Sequence, residues 1–173
     1  MTNFGMTMKA YMALSCKKGA FNTVLDELLK LNLSKREIFL LFGPVDILVQ
    51  FQDIKDLKEF VDKWFNPIRK ITAQEPLIEK TQTLLVINEG ASYVEEPFAF
   101  LFLNTNPRNL EQAQQELQSI PQVLSADTVF GPYDVICAVR AKDTVDLTRL
   151  VSQIQKDVPH IQGTVTAIVA PIY

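Results

Sequence analysis

Apolar positions along this chain switch between two rhythms, and the sequence of switches occurs twice. In the second half, "FAFLFLNT" (Phe98 to Thr105) is an aromatic-rich apolar run closed by Asn104-Thr105-Asn106-Pro107, which predicts a strand and its end. In "RNLEQAQQELQSI", Leu110, Ala113, Leu117 and Ile120 recur at helical spacing, with Asn106 as N-cap and Pro107 at the first helical position. Two short β-rich runs follow, on either side of Gly131-Pro132. A helix in "KDTVDLTRLVSQIQKDV" then places Val145, Leu147, Leu150, Val151 and Ile154 on one face, and "GTVTAIVAPIY" supplies the last strand. The order is β-α-β-β-α-β.

The first half repeats that order through "MKAYMALS", "AFNTVLDELLKL" (Val24, Leu25, Leu28 and Leu31 inward), "EIFLLF", "DILVQF", "DLKEFVDKWF" and "TQTLLVI". Asp53, Asp56, Leu57, Phe60, Val61 and Trp64 align with Asp143, Asp146, Leu147, Leu150, Val151 and Ile154. Thr81-Gln-Thr83 likewise matches Thr164-Val-Thr166. The copies differ between elements, where insertions such as "KITAQEP" are tolerated. Residues 7–88 and 98–173 are thus two repeats of one unit, and 89–97 is the linker, within the acidic stretch "NEGASYVEEP".

A βαββαβ unit with short crossovers puts both helices on one face of a four-stranded antiparallel sheet, the ferredoxin-like arrangement with its first and third strands central. The other face is left bare. Phe98, Phe100 and Phe102 alternate with Ala99, Leu101 and Leu103, so both faces of that strand are apolar and the second needs a cover. Another sheet roughly 10 Å away would serve, from the sister repeat or a second chain. The expected fold is therefore α+β: two tandem ferredoxin-like units with sheet-to-sheet packing of the dimeric α+β-barrel type.

Composition removes several classes of function. The formal net charge of −3 offers no field for nucleic acid or an anionic membrane, and no segment approaches the length of a membrane span. Cys16 and Cys137 lie in apolar runs, as buried thiols of a reduced, cytoplasmic protein would. No metal or cofactor set is apparent: His160, the one histidine, falls in a polar loop without candidate partners. Trp64 stands where the other copy has an aliphatic core residue, and the basic "LSKREIF" reads as a solvated edge.

The most specific signal is a phrase used twice, Phe42-Gly-Pro-Val-Asp46 and Phe130-Gly-Pro-Tyr-Asp134. Gly-Pro fits a two-residue type II′ connection. The Asp after it is unusual, because it opens a central strand and Asp is depleted in strands. Asp46 and Asp134 either accept backbone N–H groups and lock the turn, or hold a ligand ammonium whose carboxylate meets free amides. Tyr133 is either core packing or a pocket wall, and Val45 replaces it in the first copy.

The passage "IPQVLSADTVFGPYD", with "VRAKDTVDL" and the Thr-x-Thr opening of the last strand, resembles the ligand-binding domain of the Lrp/AsnC (feast/famine) transcriptional regulators. The likeness spans nearly all of the second half, and the first half resembles a diverged copy. It implies sheet-to-sheet dimers, homo-oligomers, and binding of amino acids or related metabolites near the hairpin. Carried onto this chain, the ligand-binding set is Gly131, Pro132, Tyr133, Asp134, Thr164 and Thr166, with Gly43, Pro44, Asp46, Thr81 and Thr83 in the first copy. The hydroxyls are expected to point toward the sheet interface. The family places a helix-turn-helix domain before this module, whereas here the first strand begins within about ten residues of Met1. The expectation is a stand-alone sensing module, not an enzyme, that binds a small molecule but no nucleic acid and acts through a DNA-binding Lrp/AsnC-type partner. Two alternatives stay open: a structural or oligomerising protein without ligand, and a cofactor-free α+β-barrel enzyme. The latter needs polar residues inside the sheets, where the strands offer mainly Phe, Leu, Ile and Val.

Overall fold

The computed structural model describes residues 7–34, 37–71 and 76–171. The "LSKREIF" segment and the "KITAQEP" insertion lie partly outside these. The chain divides into two compact units, Met1–Leu85 with Ala170–Tyr173, and Val86–Val169.

The first unit contains β1 (Met8–Cys16), α1 (Phe21–Lys30), β2 (Ile38–Phe42), β3 (Ile47–Ile54), a second helical stretch, and β4 (Ile78–Asn88), whose last residues belong to the second unit. β1 pairs antiparallel with both β3 and β4, and β2 pairs with β3, giving the order β4-β1-β3-β2. Ala10, Met12 and Leu14 of β1 pack with Val24 and Leu28 of α1 and with Phe60 and Ile68 of the second helical stretch. That stretch is interrupted: α2 (Leu57–Phe60) passes through a π-helical turn, Val61–Phe65, into α3 (Asn66–Arg69). The widened turn accommodates aromatic bulk, with Phe51 5.3 Å from Phe60 and 5.5 Å from Trp64 between ring centroids.

The second unit contains β5 (Ala99–Thr105), a 3-10 turn (Pro107–Asn109) leading into α4 (Leu110–Gln118), β6 (Val123–Phe130), β7 (Val135–Val139), α5 (Thr144–Asp157) and β8 (Ile161–Ala170), whose last residue belongs to the first unit. β5 lies between β7 and β8, with β6 beyond β7, so the order β8-β5-β7-β6 repeats that of the first unit. Ala99, Leu101 and Leu103 form the helix-packed core with Ala113, Leu117, Leu147, Leu150 and Ile154. Phe100 and Phe102 project the other way and are also buried, so both faces of β5 are shielded from solvent. The α+β class and both βαββαβ orders agree with the sequence reading.

Helix phase departs from expectation at two places. Val145 is 58% exposed, because α5 starts at Thr144 and its inward stripe begins with Leu147. The alignment of the second helices also shifts. Asp56 and Asp143 are the N-caps, accepting from the N–H groups of Glu59 and Asp146, while Glu59 and Asp146 accept from Lys55 N–H and Lys142 N–H. Asp56 therefore corresponds to Asp143 and Phe60 to Leu147; Leu57, half exposed, has no inward role. The capping box sets where each helix begins, and hydrophobic spacing alone had placed the first copy three residues out of step.

Candidate functional site

The two Gly-Pro connections are wider than a two-residue turn. Leu41 N–H donates to Asp46 O and Val129 N–H to Asp134 O, each at 2.9 Å, which closes four-residue loops over 42–45 and 130–133. Gly131 has φ 158°, close to extended, and Gly43 has no positive φ, so neither is the left-handed glycine of a type II′ turn. A residue before proline favours the extended region, and glycine complies.

Asp closes each loop with three bonds. Asp46 N–H donates to Leu14 O and Asp134 N–H to Leu103 O, both at 2.9 Å. Their carboxylates accept from the same place in each copy: Asp46 Oδ2 takes Cys16 N–H at 2.7 Å, and Asp134 Oδ2 takes Thr105 N–H at 2.9 Å. Those amides lie beyond the last register pairs of the central strand with the hairpin strand, Leu14 with Ile47 and Leu103 with Val135, while the other edge is still paired. The Asp is thus a latch between the hairpin and the end of the neighbouring strand, rather than a lock within the turn. Both carboxylates are half-buried, and Gly43, Pro44, Gly131 and Pro132 are exposed beside them.

Tyr133 is half-buried and lies against Phe102, ring centroids 5.2 Å apart. Through the matched latch, Phe102 corresponds to Ala13 and Tyr133 to Val45, so the second copy has an aromatic pair where the first has two small side chains. Cys16 corresponds to Thr105. Burial first, then Asp46 and Glu79, push the Cys16 thiol up to about 11. Burial also raises that of Cys137. Both cysteines are free and unactivated.

The threonines face the other way from expectation. Thr81 and Thr83 pair with Leu14 and Met12, and Thr164 and Thr166 with Leu103 and Leu101, all four partners belonging to the helix-packed cores. Directly opposed residues share a face, so these hydroxyls are on the helix-bearing side. Thr164 Oγ1 is buried without a hydrogen-bond partner. Val135, not Asp134, lies in the row with Leu103 and Thr164. Threonine and aspartate therefore share an end of the sheet but not a face. His160, exposed at the same end with φ 70°, accepts Asn106 N–H on its carbonyl at 3.4 Å.

Sequence reasoning missed the polar groups away from the helices. Lys9 and Gln50 are 7% and 5% exposed, Lys9 Nζ lies 5.3 Å from the Tyr11 ring centroid, and Gln50 is the register partner of Tyr11. In the second unit Ser125 and Asp127, both buried, oppose Ala138 and Ile136 on the face of Phe100 and Phe102. The sheets are thus less uniformly apolar than the strand sequences suggested; an Asp inside "SADTV" was the available signal. Among the described residues, no group of three or more His, Cys, Asp or Glu is arranged to hold a metal, and no helix is long and apolar enough to cross a membrane.

Comparison with known proteins bears on the half that carries the Tyr133 hairpin. Residues 98–172 match the Lrp/AsnC ligand binding domain. That match contains the second latch, the aromatic pair and the Thr-x-Thr strand. Solved structures resemble nearly the whole chain at the level of fold. A protein from Lactobacillus acidophilus NCFM, provisionally named a monooxygenase, aligns at TM-score 0.56 and 9% identity over 95% of this chain and 94% of its own. A chlorite dismutase variant from Candidatus Nitrospira defluvii gives 0.56 and 9% over 95% and 92%. An anthrone oxidase-like protein gives 0.53 and 9% over 96% and 92%. No match to the chain occurs among the curated proteins. The similarity to the Lrp/AsnC ligand binding domain thus lies within residues 98–172, and the solved structures speak to the fold alone.

Proposed function

We propose that this protein is a non-enzymatic, small-molecule-sensing module whose ligand is an amino acid, bound at the hairpin of the Lrp/AsnC-type half. One observation carries the reading: within the residues matched to that ligand-binding domain, Asp134 uses Oδ2 for the latch and leaves Oδ1 without a protein donor, beside exposed Gly131-Pro132 and half-buried Tyr133. A half-buried carboxylate with a free oxygen suits an ammonium group, and the Tyr133-Phe102 pair offers an apolar wall for a side chain. The latch explains the aspartate in both copies without a ligand; the aromatic wall is found in the second alone. The first copy, with Cys16, Val45 and Ala13 at the matching places, is the weaker site. The module acts as a homo-oligomer, and on transcription through a DNA-binding relative.

The test is a thermal-shift screen of the full chain against the twenty amino acids at millimolar concentration, repeated with Asp134→Asn. An Asn oxygen can still accept Thr105 N–H, so the latch survives while the negative charge is lost. Stabilisation by one or a few amino acids, abolished in D134N, supports the proposal. No shift with any amino acid would leave the hairpin as an assembly element alone.

A further inference from the structure

The last residue of β4 and the acidic connection that follows it are not a free tether. Asn88 N–H donates to Thr128 Oγ1 at 3.0 Å, Gly90 N–H to Asp127 Oδ1 at 2.8 Å and Ala91 N–H to Gln118 Oε1 at 2.9 Å. Gln114 Nε2 donates to Asn88 O at 3.1 Å and to Ala126 O at 2.9 Å, and Glu95 pairs with Arg140. Four side chains from α4 and β6 thus read the backbone of one extended segment. Their counterparts in the first unit are Phe39 and Leu40 by strand register, and Leu25 and Leu29 when the buried pairs Val24/Leu28 of α1 and Ala113/Leu117 of α4 are matched, so this chemistry belongs to the second unit alone.

Two features set how firmly the segment sits. Gly90 is there because nothing larger fits: a Cβ would stand 2.5 Å from Ala126 O and 2.6 Å from Ala126 N. Tyr93 works in the opposite direction. Its hydroxyl is buried with no hydrogen-bond partner, so docking strips the phenol of water and returns nothing to it. Ala91, Ser92, Val94, Glu95 and Glu96 around it are exposed.

We propose that residues 88–95 are a displaceable strap, held on the second unit by Gly90's close approach and side-chain-to-backbone hydrogen bonds, and biased toward release by the unpartnered Tyr93 hydroxyl. Release leaves the β6–β7 ladder in place, and it strips the buried Asp127 and Thr128 of their bonds to Gly90 and Asn88. The strap opens separately from, and more readily than, the strands beneath it.

Amide hydrogen exchange on the full chain tests this with variants of opposite sign. Gly90→Ala lowers protection at 88–95 by about tenfold or more while β5 and β7 keep theirs. Tyr93→Phe raises protection at 88–95 by about fivefold or more, because the stranded hydroxyl is gone. Gln118→Ala, which removes the acceptor for Ala91 N–H without adding bulk, repeats the G90A result should that variant fold poorly. Unchanged protection in G90A and Q118A, equal loss across β5 and β7, or no gain in Y93F would each overturn the proposal.

Discussion

Removing the carboxylate of Asp134 isolates the latch from everything else the hairpin does. In Asp134→Ala the backbone bonds from Val129 N–H and to Leu103 O remain, but Thr105 N–H loses its acceptor. Thr105 is 2% exposed, so water does not replace the lost partner freely. A hydrogen bond to a charged group contributes about 1.5–3 kcal/mol, and a stranded buried donor costs about 1–3 kcal/mol. These are two accounts of one loss rather than separate terms, and together they place the destabilisation at about 2 kcal/mol. For a unit of this size that lowers the melting temperature by roughly 10 °C. Asp134→Asn keeps an acceptor and forfeits only the charge, for a loss of about 1 kcal/mol or less. Urea unfolding followed by circular dichroism measures both, with the slope m as the check that the unfolded state is unchanged. Hydrogen exchange at the Thr105 amide locates the effect. A D134A midpoint indistinguishable from the parent, equal losses in D134A and D134N, or undiminished protection at Thr105 would refute the latch.

Other expectations follow from the same geometry. Thr164→Val replaces a buried, unpartnered hydroxyl by a methyl group of similar shape, so it should stabilise by about 1 kcal/mol in the same urea assay; destabilisation would mean that the hydroxyl has a partner. Because the Cys16 pKa is raised in the folded state to about 11, its contribution to stability is intact below the ordinary thiol value. That contribution is lost as pH rises from about 9 toward 11, where the unfolded thiol is already ionised. The urea midpoint should therefore fall over that interval, and fall less steeply in Cys16→Ser; a C16S profile parallel to the parent would show that the thiol is not responsible.

The strand and helix order was legible because period-2 and period-3.6 patterns are local, and because a duplicated chain states each element twice. Asn106 was recognisable as a cap for the same reason: its side chain accepts from Arg108 N–H, two residues on. What escaped depends on parity and phase. Whether Thr164 faces the helices or the opposite side is decided by its pairing with Leu103, a partner 61 residues away that no local pattern encodes. The phase of α5 is set by its capping box, which exposes Val145 although its spacing from Leu147 and Leu150 looks suitable. The aspartate after Gly-Pro stands out in the sequence, but its partner is an amide 29 residues earlier in the chain. The strap is invisible to periodicity altogether, since Gln114, Gln118, Asp127 and Thr128 grip peptide groups, and peptide groups have no sequence.

The π-helical turn at Val61–Phe65 places Trp64 against Phe51, with Lys63 Nζ 4.9 Å from its ring centroid. Trp64 is the chain's single tryptophan, and it belongs to the first unit. Its emission is therefore an optical label already built into one repeat, whereas the tyrosines are shared, Tyr11 in the first unit and Tyr93 and Tyr133 in the second. A denaturation curve read at the indole, which follows the first copy, can be laid over one read by circular dichroism, which averages both, so that duplication itself becomes measurable: coincidence means the two copies melt together, and separation shows whether the first gives way before or after the second.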